Sequence, residues 1–235
     1  MIIYPAIDII DGKCVRLQQG SYSEVTVFGD SPVEMALKWE SQGARYLHVV
    51  DLDGARSGKT ENHGIIKEIA RKLSIPVQVG GGIRNPDTIE DLISAGLKRV
   101  ILGTTAVNDQ DMLETVLKEY GAKIAVGIDA KDGMVAIHGW EQTSGLTAVA
   151  FARKVEELGA QTVIYTDISR DGMLKGPNLA AMSEMAKAVG IEVIASGGVS
   201  CLGDIIDLKS TGVGGAIVGK ALYTGNIALK DAINA

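Results

Sequence analysis

Cysteine is almost absent. Cys14 and Cys201 are the two cysteines, and they form no CxxC pair. A disulfide framework and a thiol redox motif are thereby excluded, and a reducing compartment is expected. Histidine is scarce too: His48, His63 and His138 lack metal-ligand spacing, so no metal site is expected. No apolar run reaches the length of a membrane span. No basic segment followed by a long apolar run opens the chain, which starts directly on Ile2-Ile3-Tyr4-Pro5-Ala6-Ile7. No leader is therefore expected, and a cytoplasmic location is. Positive charge is the minority, with a net charge of −6. That balance argues against a general nucleic-acid or membrane surface. It leaves an anionic ligand open, because backbone N–H groups bind phosphate without lysines. Low-complexity segments and linkers are also missing. What remains is 235 residues of ordinary globular composition, 46% hydrophobic and 22% charged.

Glycine is what the chain has in pattern. Val77-Gln78-Val79 runs into Gly80-Gly81-Gly82-Ile83-Arg84, and Val193-Ile194-Ala195-Ser196 runs into Gly197-Gly198-Val199. Adjacent residues without a Cβ let the backbone come close to a neighbour, and before a helix that neighbour is often an anion. The alternative is a pair of tight turns. The step between the two runs is fixed: 197 − 81 = 116 and 198 − 82 = 116. Gly103 and Gly219, Gly96 and Gly212, and Gly43 and Gly159 keep the same step of 116. Near the start the step becomes 121, as Asp8 matches Asp129 and Asp11-Gly12 matches Asp132-Gly133. A length difference of about five residues between the halves explains the change. The chain is two copies of one half, about residues 1–120 and 121–235.

Each half alternates short apolar strands with helices. Strands are expected near residues 2–7, 46–50, 77–79 and 99–102, and again near 124–128, 162–165, 193–196 and 215–218. Helices open on Ser31-Pro32, Asn62, Asn85-Pro86, Asp109, Leu146, Asn178 and Leu202, with a short turn after Gly219-Lys220. Residues 15–20 and 134–140 read as hairpins, 55–60 as a polar loop and 139–145 as a mobile lid. Eight strands alternating with helices in 235 residues give an α/β fold. It is a (β/α)8 TIM barrel over residues 1–235, closed from two duplicated (β/α)4 halves.

In such a barrel the chemistry sits at the C-terminal strand ends. Asp8 and Asp129 end strands one and five, which face each other. Either each aspartate caps the following loop, or the two divide acid and base work, which requires different environments. Gly81, Gly82, Gly103 and Thr104 form one candidate phosphate corner, and Gly197, Gly198, Gly219 and Lys220 form the other. A ligand with a phosphate at each end would then span the mouth, its middle over Asp8 and Asp129. Thr166 and Asp171 offer a hydrogen bond to a sugar hydroxyl or a proton, or else belong to loop structure. Asp51 and Asp167 are equivalent positions with a structural alternative. Arg16 grips phosphate or carboxylate, or is an exposed hairpin arginine. Trp140 offers a face for stacking on a heterocycle. His48 is a satisfied interior histidine or a ligand contact.

The segments Pro5-Ala6-Ile7-Asp8, Asp11-Gly12-Lys13 with Val15-Arg16-Leu17, residues 49–54, Gly80 to Arg84, Asp167 to Gly172 and Ser196 to Val199 carry a resemblance over the whole chain. They closely resemble the phosphoribosylformimino-5-aminoimidazole carboxamide ribotide isomerase family of histidine biosynthesis. The resemblance implies a bis-phosphorylated small-molecule substrate and an Amadori rearrangement of aminoaldose to aminoketose. It implies Asp8 as general base and Asp129 as general acid, with Asp171 a competing acid, Thr166 assisting, and Trp140 on a lid over the substrate. No cofactor and no obligatory protein partner are implied, and a monomer is expected. The sister cyclase of imidazole glycerol phosphate synthase shares the two aspartates, but its first strand usually ends Cys-Leu-Asp, where this chain has Ala6-Ile7-Asp8. A dual-substrate isomerase that also takes phosphoribosyl anthranilate usually offers an arginine near the tryptophan, and none surrounds Trp140. A non-catalytic bis-phosphate binder would have no use for both aspartates.

Overall fold

The computed structural model describes every residue except Thr60, His138 and Glu141. The first half runs β1 (Ile2–Ile10), β2 (Lys13–Gln18), β3 (Ser21–Gly29), α1 (Pro32–Ser41), β4 (Leu47–Asp51), α2 (Leu52–Ser57), α3 (His63–Lys72), β5 (Val77–Gly80), α4 (Pro86–Ser94), β6 (Arg99–Leu102), α5 (Thr104–Asn108) and α6 (Gln110–Tyr120). The second runs β7 (Ile124–Lys131), β8 (Met134–Ile137), β9 (Gln142–Thr147), α7 (Ala148–Glu157), β10 (Thr162–Asp167), α8 (Leu179–Ala188), β11 (Glu192–Ser196), α9 (Leu202–Lys209), β12 (Gly215–Val218), α10 (Lys220–Tyr223) and α11 (Leu229–Asn234). Parallel pairing follows the ring β1, β4, β5, β6, β7, β10, β11, β12 and back to β1. The (β/α)8 barrel is therefore closed. In that ring β7 is the fourth neighbour of β1 in either direction, so Asp8 and Asp129 stand on opposite strands.

The polar residues that punctuate the sequence are the helix caps. The side chains of Ser31, Asn85, Asp109, Thr147 and Asn178 accept from the backbone N–H groups of Glu34, Thr88, Met112, Ala150 and Ala181. Each satisfies a donor that the first helical turn leaves unpaired. Apolar side chains pack in two places. Strand side chains such as Ile7, Leu47 and Val126 meet helix side chains such as Leu92 and Phe151 outside the barrel. A smaller set fills the barrel interior: Tyr4, Ala6, Tyr46, Ile101, Ala125, Ile164, Ile194 and Ile217.

The repeat is visible atom by atom. Asp11 and Asp132 both adopt left-handed φ, 49° and 51°, ahead of Gly12 and Gly133, and each pair turns a hairpin that leaves the barrel. Asp51 and Asp167 are structural. Buried Asp51 accepts from Gly54 N–H at 2.9 Å and from the Asn62 amide at 2.7 Å. Asp167 accepts from Ser169 N–H at 2.9 Å and from the Asn178 amide at 2.7 Å. The two asparagines keep the step of 116, since 178 − 62 = 116. Each brace ties a strand end to the helix start eleven residues on, and so holds the rim of the barrel.

The glycine pairs have a steric reason that the sequence reading lacked. Gly81 and Gly82 have φ of 108° and 71°, and Gly197 and Gly198 of 93° and 95°. A Cβ on Gly81 would overlap the Asp51 carbonyl, and one on Gly82 the Gly54 carbonyl. The same Cβ on Gly198 would stand 2.5 Å from the Gly176 oxygen. The helices that follow these glycines start where the sequence places them, behind the caps Asn85 and Cys201. Gly82→Ala is expected to cost about 4 kcal/mol, from left-handed strain plus a backbone overlap that cannot relax cheaply. Thermal unfolding should register a drop in Tm of about 10 °C; a drop under about 2 °C would contradict the packing argument.

Three expected elements differ. Residues 55–57 of the expected polar loop 55–60 are the end of α2, because the Asp51 carboxylate caps that helix; Gly58 and Lys59 lie beyond it, and Thr60 lies outside the described residues. The lid 139–145 becomes strand β9 from Gln142, pairing with β8 outside the barrel; Glu141, and His138 in the preceding hairpin, lie outside the described residues. The helix expected from Leu146 starts at Ala148, where Thr147 provides the cap, and Leu146 is exposed. α11 carried no expectation. Among the described residues no helix is long and apolar enough to cross a membrane.

Candidate active site

One cavity of about 280 Å³ opens at the C-terminal ends of the strands. Its wall includes Asp8, Arg16, His48, Gly81, Gly82, Gly103, Thr104, Asp129, Trp140, Thr166, Asp171, Gly197, Gly198, Gly219 and Lys220. The two aspartates, the two glycine corners and the assisting residues read from sequence are brought to one place, while Asp51 and Asp167 stay outside the wall.

The two aspartates have different company. Arg16 comes in from β2, and its Nη1 donates to Asp8 Oδ2 at 2.7 Å. Nη2 donates to the Ala6 carbonyl at 2.6 Å, and the guanidinium lies over the Tyr223 ring, 5.3 Å from its centroid. It also presses on Gly219, where a Cβ would stand 2.5 Å from Cζ. Arg16 is thus no exposed hairpin arginine: it joins Asp8 to the second glycine corner. Burial pushes the Asp8 carboxyl above the ordinary carboxylate range, and the Arg16 charge and hydrogen bond oppose the rise. Among the described residues Asp129 meets neutral donors only. Trp140 Nε1–H donates to its Oδ2 at 2.8 Å, and the Thr166 hydroxyl bonds it too. Burial pushes Asp129 upward, opposed by those two bonds. Asp171 is lifted to about 6 by burial first, then by the negative charge of Asp8, with Arg16 opposing and Asp129 adding. Among the described residues the site thus sets Asp8 beside a cation and gives Asp129 and Asp171 no ion pair, so the carboxylates sit in different environments.

Trp140 is held in place. Its φ is 74°, and its ring rests on Gly20 at the β2–β3 turn, where a Cβ would overlap it. The same hairpin is tied to the loop after β10, because Gln19 N–H donates to the Asp171 carbonyl at 3.3 Å and the Gln19 amide to the Ser169 carbonyl at 3.1 Å. The outer hairpins of the two halves meet across the mouth. Thr166 pairs laterally with Asp129 and with Ser196, which also lines the cavity. His48 sits one level lower, buried, with Nδ1 2.9 Å from Gln78 Nε2. Burial pushes its imidazole down to about 3, so it is neutral.

The two glycine corners match in backbone but not in charge. Gly103 and Gly219 share an unusual conformation, with ψ of −102° and −101°. Lys220 in the second corner corresponds to Thr104 in the first, while Arg84 in the first corresponds to Ser200 in the second. Arg84 lines the cavity and crowds Gly58, and it was missed as a site residue. Comparing like positions hides it, because each corner draws its cation from a different point of the repeat. Thr105 and Tyr22 also line the cavity without having been singled out; Thr105 donates to the Ile83 carbonyl at 2.9 Å, and Tyr22 to the Leu52 carbonyl at 2.7 Å.

Comparison with known proteins places this geometry. The profile of the family described as "Histidine biosynthesis protein" matches residues 2–228. The chain is 75% identical, over 99% of both chains, to a protein of Ruminiclostridium cellulolyticum named 1-(5-phosphoribosyl)-5-((5-phosphoribosylamino)methylideneamino) imidazole-4-carboxamide isomerase. It is 64% identical to the protein of the same name from Acetivibrio thermocellus, over 99% of this chain and 98% of that one. To the namesake from Clostridioides difficile it is 50% identical, over 99% and 97%.

Proposed function

The chain belongs to the histidine biosynthesis protein family, and from that membership and the cavity we propose how its residues share the work of catalysis. The reaction is the Amadori rearrangement of a bis-phosphorylated imidazole carboxamide ribotide, an isomerisation of aminoaldose to aminoketose. In our reading Asp129 gives its proton to the ribose ring oxygen. The C1′–O4′ bond breaks as the nitrogen lone pair forms a C1′=N bond. Asp8 then takes the proton from C2′. The enolamine gains a proton at C1′ and loses one from the C2′ hydroxyl, leaving the ketone.

The observation that carries this assignment is the asymmetry across the mouth. A base must be ionised and an acid protonated at the same pH. Arg16 favours the ionised form of Asp8, whereas Asp129 has hydrogen bonds but, among the described residues, no cation to hold it ionised. The glycine corners with Arg84 and Lys220 would seat the two phosphates, and Trp140 would cover the reacting centre. We further propose that the chain works in the cytoplasm without an obligatory protein partner; its two cysteines are unpaired.

Purified protein, with neither partner nor added metal, is expected to convert the bis-phosphorylated aminoaldose to the aminoketose. The kcat/KM profile should be bell-shaped. Asp8 must be deprotonated, so activity falls as pH drops through its pKa. Burial raises that value, so the acid limb should lie above the ordinary ~3.9 of an aspartate. The alkaline limb follows loss of the proton from the acid. A profile flat from about pH 5 to 9 would contradict paired carboxylate catalysis. No conversion, together with consumption of the ketose only when ammonia is added, would replace the isomerase reading with the cyclase.

A further inference from the structure

Beneath the carboxylates the barrel interior holds a polar chain that takes no part in the proton transfers above. His48, Gln78 and Arg99 stand on the adjacent strands β4, β5 and β6, in register: His48 pairs with Gln78, and Gln78 with Arg99. Gln78 is fully buried and does not reach the cavity. Arg99 Nη1 donates to Gln78 Oε1 at 3.2 Å. Arg99 Nη2 reaches across the lower end of the barrel to Glu192 Oε2 at 3.2 Å, and the Thr162 hydroxyl donates to the same oxygen at 3.0 Å. The Arg99 guanidinium also lies over the Tyr46 ring, 5.5 Å from its centroid.

This chain has one consistent direction. An arginine only donates, so the amide atom of Gln78 that faces Arg99 must be its oxygen. The Gln78 NH2 group then faces His48, 2.9 Å from Nδ1, and Nδ1 must accept. A ring whose Nδ1 holds a lone pair carries its proton on Nε2. His48 lines the cavity, and with Nδ1 taken by Gln78, Nε2 is the ring nitrogen left for a ligand there.

We propose that Gln78, oriented by the Arg99–Glu192 pair, is a positioning residue that locks His48 as the Nε2–H tautomer and so aims a fixed donor at an oxygen of the substrate's sugar. The floor around it is otherwise apolar, with Ala6, Ile101, Ile164 and Ile217. A donor there would select an oxygen-bearing substrate and would not compete with Asp8 for its proton. Burial keeps the ring neutral, in agreement with this direction. The sugar as acceptor rests on the isomerase reading; the tautomer does not.

Heteronuclear NMR of histidine-labelled protein, correlating ring nitrogens with ring protons, tests the first half without any variant. The three imidazoles are separated with His63→Gln and His138→Gln. His48 is expected to show a bare Nδ1 and a protonated Nε2 from about pH 6 to 8. Gln78→Glu replaces the NH2 donor by an acceptor that Arg99 can still hold, so it should move the proton to Nδ1. It should also lower kcat/KM about tenfold or more, the loss of one directed hydrogen bond. Protonated Nδ1 in the wild type, an unchanged tautomer in Gln78→Glu, or a reversed tautomer with unchanged kcat/KM would each overturn the proposal. If Gln78→Glu fails to fold, the wild-type spectrum still decides the tautomer, and Gln78→Leu, which removes the donor, should lower kcat/KM similarly; unchanged kcat/KM there overturns it. A wild type with the expected tautomer but no turnover would instead sink the isomerase reading.

Discussion

Asp8→Asn is expected to lower kcat about 10⁴-fold, the upper range for loss of a positioned general base. The side chain keeps its shape, and its amide oxygen can still accept from Arg16 Nη1, so the brace to β2 survives. What disappears is the capacity to take a proton. Substrate binding should change little, because the glycine corners, Arg84 and Lys220 lie apart from the substitution. Calorimetric binding beside steady-state turnover reads both quantities. A loss under about tenfold would remove Asp8 from the chemistry. A large loss of binding would instead mean that the Asp8–Arg16 pair holds the second corner together, since Arg16 also packs on Gly219.

Asp129→Asn should cost about 10³-fold in kcat. Its amide oxygen can still accept from Trp140 Nε1–H, so the tryptophan keeps its place on Gly20. The comparison that matters is Asp171→Asn. Asp171 is lifted to about 6 by burial and then by the charges of Asp8 and Asp129, so it is mostly ionised at neutral pH and takes up its proton only as the pH falls through about 6. In our reading it is a secondary contributor, and its substitution should cost about tenfold. Measured side by side, a larger loss in Asp171→Asn than in Asp129→Asn would make Asp171 the acid and Asp129 its electrostatic neighbour. Acid catalysis in the second half of the barrel would stand, but its donor would change.

The barrel was legible because its punctuation repeats. Glycines and aspartates recur at one step, and the structure returns them with matching φ at Gly81 and Gly197 and matching braces from Asp51 and Asp167. The candidate site was legible for the same reason, because strand ends converge in a closed barrel whatever the loops do. Other features escaped. α2 reads as polar loop because its helical signal is not its own composition but the Asp51 carboxylate that caps it. β9 reads as lid because its exposed polar residues pair only with β8 and pack on no core. Arg84 escaped because symmetry directs attention to equal positions, and the corners are unequal there. The glycine pairs were noticed for the anions they might admit, yet their most direct constraint is the backbone of residues 51–54 and of Gly176. The His48–Gln78–Arg99 chain depends on the lateral register of three strands, which no single stretch of sequence contains.

The central claim, that Asp8 removes the C2′ proton, is tested most directly with substrate deuterated at C2′. Release of the deuteron is followed in single turnover with wild type and Asp8→Asn at equal, saturating occupancy. The account predicts complete release by the wild type and, in the variant, release slowed about 10⁴-fold in step with its loss of turnover. Release from the variant at the wild-type rate would contradict it and assign the base to another group in the mouth.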